Sequence, residues 1–163
     1  MKDRVEKTTD EVLRLWQAAA ERDPGDLRTW IFLARLHQEV GQTDKADDAA
    51  SRALNAATQP RDRSAALNTL GDVQVAAGDL AAARTSFEDS HQVRTRLAAA
   101  NPSSAEAQRD VAVSLWRLAQ LPGGGVRWRE VTGAWSAMEA RGLLAPTDAS
   151  FAAEARRRAA EEK

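Results

Sequence analysis

Apolar residues return every three or four positions along most of this chain, the spacing of one helix face, and no stretch alternates as a strand would. Helix punctuation separates the runs. Thr8-Thr9-Asp10-Glu11 fits a capping box, Val12, Leu13, Leu15, Trp16 and Ala19 follow at helical spacing, and Asp23-Pro24-Gly25 ends the run. Asp26 caps a second helix carrying Leu27, Trp30, Ile31, Leu33, Ala34 and His37, and Gly41 closes it. Thr43 and Asp44 open a third, through Ala46, Ala50, Ala53 and Leu54 toward Pro60. A fourth spans about Arg61 to Ala77 and stops at Gly78, and Asp79 caps a longer fifth that ends at Asn101-Pro102. Ser103-Ser104-Ala105-Glu106 reads as another capping box, before a sixth helix with Val111, Leu115 and Leu118. Leu121-Pro122-Gly123-Gly124-Gly125 is a loop; a seventh helix holds Val126, Val131, Trp135 and Met138 and ends at Gly142. Pro146-Thr147-Asp148 starts the last helix, through Phe151 to the C-terminus. Eight helices with short connections make the expected class all-α.

The helices also repeat in pairs. Trp30, Leu33, Ala34 and His37 on one helix, with Gly41 at the turn and Ala46 on the next, are matched by Leu67, Leu70, Gly71 and Gln74, then Gly78, Ala83 and Phe87. Leu115, Leu118 and Ala119 begin a third copy, which Val131 and Trp135 complete; upstream, Val12 and Trp16 fit second-helix positions, with Pro24 closing that unit. Small residues in such a pattern let paired helices approach closely, and large ones fill the space between pairs.

On these residues the chain resembles the tetratricopeptide repeats, and from Ser64 to Ser114 the long-repeat bacterial variety, through LNTLGDVQVAAGDLAAARTSFEDS and RLAAANPSSAEAQRDVAVS. The ending VRWREVTGAWSAMEARGLLAPTD is similar to the way such bacterial arrays finish. His37 and Gln74 replace the usual aromatic, Ala50 replaces a bulky residue and loosens the first pair, and the third copy has a broken first helix. The expected organisation is a single domain over 1–163: a half-repeat helix at 8–25, repeats at 27–60 and 61–102, a degenerate third at 103–142, and a capping helix at 146–163. The resemblance implies a right-handed superhelical α-solenoid whose first helices line a concave groove that holds a partner protein or peptide. The groove positions are Arg28, Ile31, Arg35 and Gln38, then Asn68, Asp72 and Val75, then Trp116 and Arg117. Ile31 and Trp116 are expected to be exposed apolar contacts. Family members that grip acidic chaperone tails use Lys and Asn at fixed positions. Those positions here hold Ile31, Arg35, Thr69, Val113 and Arg117, of which only Arg117 fits, so that adaptor role is not expected.

Composition adds mainly exclusions. A formal net charge of -1 with mixed signs gives no electrostatic reason for a nucleic-acid or membrane partner, and no apolar run approaches a membrane span. With no cysteine, no phosphate loop after a strand and no metal-ligand spacing, neither an enzyme nor a cofactor is expected. The default compartment is cytoplasmic, and the excess of arginine over lysine agrees with a bacterial source. His37, in an aromatic slot, reads as a packed core histidine; Gly123-Gly124-Gly125 reads as a connector, and Arg156-Arg157-Arg158 as a solvated helix offset by Glu154, Glu161 and Glu162. Trp16, Trp30 and Trp135 are expected in the interior, with Trp116 and Trp128 left open.

The first helix has a second-helix pattern, so Leu13, Leu15 and Trp16 should lack part of their cover. An upstream domain, further repeats or a second copy of the chain would supply it. The sequence therefore supports two functional readings, a scaffold that holds a partner in its groove and a structural module that self-associates as a homodimer.

Overall fold

The computed structural model describes residues 2–123 and 125–162, with side chains from Thr8 onward; Met1, Gly124 and Lys163 lie outside the described residues, and with them one residue of the expected glycine connector and the last of the expected final helix. Among them the chain is all-helical, with no strand: α1 (Lys2–Arg22), α2 (Leu27–Glu39), α3 (Thr43–Ala56), α4 (Pro60–Ala77), α5 (Leu80–Ala100), α6 (Ala105–Gln120), α7 (Trp128–Ala140) and α8 (Ala149–Glu161). Two compact units divide the chain, residues 1–86 and 87–163, with α5 contributing to both.

Local chemistry sets most helix ends where the sequence puts them. Asp26 accepts from the Arg28 N–H at 3.1 Å and caps α2; its carboxyl also accepts from the Thr29 hydroxyl, which holds its pKa below the usual value. Asp79 does the same for α5 through the Ala82 N–H at 2.9 Å. Gly41 and Gly78 end α2 and α4 at φ 74° and 82°, a left-handed backbone that any side chain would strain.

Other boundaries move. Helix α1 begins at Lys2 rather than Thr8, so Thr8-Thr9-Asp10-Glu11 lies inside a helix and is no capping box. Residues 2–7 contain neither glycine nor proline and are mostly Lys, Glu, Arg and Asp, so nothing local stops the helix there. Ser104, not Ser103, caps α6, accepting from the Ala107 N–H at 3.2 Å. Helix α6 runs unbroken to Gln120, so the interruption falls between helices rather than within the third copy's first helix. Val126 precedes α7, whose first turn is held by the Arg127 N–H donating to Glu130 Oε1 at 3.0 Å. Pro146–Asp148 forms a short 3-10 turn before α8.

In the first unit, α2 packs on α3 and both pack on α4. Its core is Trp30, Leu33, Ala34, Ala46, Ala49, Ala50, Ala53, Ala66 and Val73. Burial of a side chain such as Leu33 contributes about 1.5–3 kcal/mol. The four alanines of α3 let it lie close on α2, and Ala50, expected to loosen the pair, is fully enclosed. The two polar residues in aromatic slots are hydrogen-bonded: His37 Nδ1 meets Gln42 Oε1 at 2.9 Å, and Gln74 Oε1 accepts from the Ser86 hydroxyl at 2.7 Å.

In the second unit, α6, α7 and α8 enclose Ala112, Val131, Trp135, Met138, Ala152 and Ala155. Arg109 Nε donates to both carboxylate oxygens of Asp148, at 2.9 and 2.8 Å, tying α6 to the turn before α8.

Candidate functional site

The interior positions of the repeat fix which residues are left for a surface. On α2, burial of Thr29, Trp30, Leu33, Ala34 and His37 leaves Arg28, Phe32 and Arg35 exposed; on α4, burial from Ser64 to Val73 leaves the C-terminal turns open. Where α2 and α4 lie together, a cleft of about 610 Å³ opens, lined by Arg35, Gln38, Glu39, Asp72, Val75 and Ala76. Gln38 Nε2 donates across it to the Asp72 carbonyl at 3.4 Å. Val75 is 40% exposed, an apolar side chain in a lining that also holds Arg35, Glu39 and Asp72. Such a lining can hold an extended or helical segment through one apolar contact flanked by charges.

Four of the expected groove residues, Arg35, Gln38, Asp72 and Val75, therefore share one cleft. Arg28 is exposed on α2 about two helix turns before Arg35. Ile31 is half-buried against the core, so it is not the exposed apolar contact expected of it. Asn68 is only 7% exposed, and its Oδ1 has no hydrogen-bond partner among the described residues. It was expected on the solvent side; the run of buried positions from Ala66 to Thr69 shows that this part of α4 is enclosed on several sides.

Trp116 and Arg117 belong to the second unit. Trp116 is half-buried, set edge-on to Trp128 at 4.9 Å and to Phe151 at 5.6 Å, so it is an internal packing residue rather than a free contact. Arg117 lies over the Phe87 ring at 5.5 Å. Arg158, expected to be solvated, rests on the Trp128 ring at 4.6 Å and the Trp116 ring at 5.8 Å. Its neighbours do pair with glutamates: Arg157 with Glu154 and Glu161 at 2.7 Å, and Arg156 with Glu139. Hydrogen bonds from Arg157 and Arg158 hold the Glu154 carboxyl down to about 2.

The repeat pattern missed an apolar surface on the first unit. Trp16 is 37% exposed instead of interior, and its ring lies 4.2 Å from that of Phe32, itself 40% exposed. Helix α1 turns Leu13 and Ala20 inward in place of Val12 and Trp16, a register one residue away from the expected one. Leu15, at 63% exposure, completes the patch. The signal was present in Trp30-Ile31-Phe32-Leu33-Ala34, an apolar run too wide for one buried face.

Neither histidine assembles a reactive centre. His37 is buried, as a core histidine should be. His91 Nδ1 stands 2.7 Å from Ser114 Oγ, a spacing that suggests a nucleophile and its base. The Ser114 hydroxyl, however, donates to the Val111 carbonyl at 2.7 Å, so the imidazole N–H must donate to the oxygen and has no proton to take. Ser114 is also fully enclosed. Among the described residues no group of three or more His, Cys, Asp or Glu side chains could hold a metal ion, and no helix is long and apolar enough to cross a membrane.

No protein-family model matches the chain, and no curated protein matches its sequence. Among solved structures, one described as "Crystal structure of MamA" aligns at 17% identity and TM-score 0.47, covering 98% of this chain and 91% of the other. A second, "Crystal structure of MamA protein", aligns at 17% identity and TM-score 0.46, covering 98% and 85%. Likeness at that level fixes neither family nor partner.

Proposed function

We propose that this chain is a tetratricopeptide-type interaction module, a single array over residues 1–163 that holds a segment of a partner protein in its concave groove. It acts as a non-catalytic scaffold within a bacterial, cytoplasmic multiprotein or multidomain system. The observation that carries the reading is the α2–α4 cleft, where Arg35, Gln38, Asp72 and Val75 line one space of segment-binding size. The test is selection of peptides from a random library on the folded protein, followed by affinity measurement on Arg35→Glu and Val75→Asp. Both residues are exposed, so the variants keep the fold. Selected peptides should lose about tenfold in affinity, the ~1.4 kcal/mol expected of one central contact. Undiminished binding to both variants would overturn the reading.

A second reading, self-association, has its own observation: the exposed Leu15–Trp16–Phe32 patch on α1 and α2. Solution mass by light scattering across a tenfold concentration range distinguishes it. A dimer that Leu15→Lys dissolves would favour assembly through this patch, and a monomer would leave the cleft reading standing alone.

A further inference from the structure

Helix α8 covers the second unit with its smallest side chains. Helix α6 buries Leu118 and α7 buries Val131, Trp135 and Met138, whereas α8 buries only Ala152 and Ala155. Two alanines remove little apolar area from water, and Phe151, at the start of α8, stays 44% exposed. What fastens α8 to α7 is mostly polar. Glu162 Oε1 accepts the Trp128 backbone N–H at 2.9 Å, Arg156 pairs with Glu139, and Arg158 lies over the Trp128 ring at 4.6 Å. The first two contacts are open to solvent, where charged contacts are weak.

The helix also supports itself. Apart from Ser150 and Phe151 it consists of Ala, Glu and Arg, all strong helix formers. Glu154 bonds Arg157 and Arg158, and Arg157 bonds Glu161, each within one helical turn. Undocking therefore need not wait for α8 to melt. Its first residue follows Asp148, which is buried and held by Arg109, so α8 would swing about a fixed turn.

The face beneath is not matched to this cover. Trp128, Thr132, Trp135 and Glu139 recur at helical spacing along one stripe of α7, and α8 meets both ends of it through Glu162 and Arg156. Between those ends Trp135 Nε1 and Thr132 Oγ1 are buried, and among the described residues neither has a hydrogen-bond partner. Trp135 is only 1% exposed. A buried indole N–H without an acceptor is unfavourable, and the alanines that α8 turns inward carry no side-chain acceptor.

We infer that α8 is a displaceable lid, and that the α7 stripe beneath it docks a helix of a partner protein with a hydroxyl or carboxamide acceptor where α8 has alanine. The rings supply the apolar contact, and the Trp135 N–H supplies the hydrogen bond that selects the partner. This surface lies wholly within the second unit and does not depend on the α2–α4 cleft.

Hydrogen exchange of the full chain tests the lid. Amides of α8 should exchange about tenfold faster than those of α6 and α7, through an opening that leaves both helices folded. The Trp135 indole N–H should exchange with α8. Equal protection of α8 and α7 would overturn the lid. The docking site is tested with a synthetic peptide of residues 146–163 carrying Ala152→Ser and Ala155→Ser, added at about millimolar concentration because it competes with a tethered helix. It should shift the Trp135 indole N–H resonance and bind about fivefold tighter than the unsubstituted peptide, the factor that one net hydrogen bond supplies. In the Arg158→Ala chain, whose lid is looser, both peptides should bind about threefold tighter. Equal affinity of the two peptides would overturn the site. So would an indole N–H that neither peptide moves, which would mean an ordered water as its only partner.

Discussion

The two units solve the same packing problem with opposite materials. In the first, α3 meets α2 through Ala46, Ala49, Ala50 and Ala53, and the two largest side chains of the core, Trp30 and Leu33, come from α2, joined by Leu13 of α1 and Val73 of α4. In the second, rings from three helices meet beside α6: Trp135 of α7, fully enclosed, the half-buried Trp116 of α6 and Trp128 of α7, and Phe151 of α8, which is 44% exposed. Small residues define an interface by close approach, which a repeat pattern encodes position by position. Rings define one by mutual geometry, and residues 116, 128 and 151 meet only because their helices fold together.

The difference predicts different failures. Trp135→Ala, which removes a fully enclosed ring stacked on Phe151, should have the largest effect, about 3–5 kcal/mol in urea unfolding. A loss under about 1 kcal/mol would mean that the ring cluster is not what fills the second unit. Ala50→Leu attacks the first unit from the opposite side. With no space around it, the added bulk should cost about 1–3 kcal/mol by the same measurement. A neutral result would show that α2 and α3 can part without penalty, and the contrast between units would fail.

The smallest effect is pH-dependent and lies in the second unit. Burial pushes the His91 pKa below its ordinary value of 6.5; Arg94 pushes the same way, Glu130 opposes, and the Ser114 oxygen faces the ring. The unfolded chain therefore binds this proton more readily than the folded one, so stability should fall as pH drops below about 6.5. His91→Gln should flatten that slope in melting temperature measured from pH 7.5 to 5.5. An unaltered slope would assign it to other groups.

How much the sequence disclosed follows the same division. Asp26, Gly41, Gly78 and Asp79 mark helix ends through local backbone chemistry, and all four stand where the pattern put them. Trp30, Leu33 and Trp135 were readable as core because a repeat assigns them fixed faces. Trp16 was not readable, since its burial depends on what packs against α1, and with Phe32 beside it the residue stays 37% exposed. Trp116 failed for the converse reason: solvent exposure was read from one helix, while the rings that cover it come from two others. The start of α1 was misplaced because Thr8-Thr9-Asp10-Glu11 satisfies a capping rule that the preceding helix-forming residues override. Of the candidate groove, the α2–α4 part was legible because the open faces of the first helices of two successive repeats determine it. Asn68 was not, because its surroundings lie on more than one element.

The most direct test of the central claim is an amide chemical-shift map of the protein on addition of a library-selected peptide. The account predicts shifts concentrated at Arg35, Gln38, Asp72, Val75 and their neighbours on α2 and α4. Shifts concentrated instead at Leu15, Trp16 and Phe32, or confined to the second unit, would contradict it.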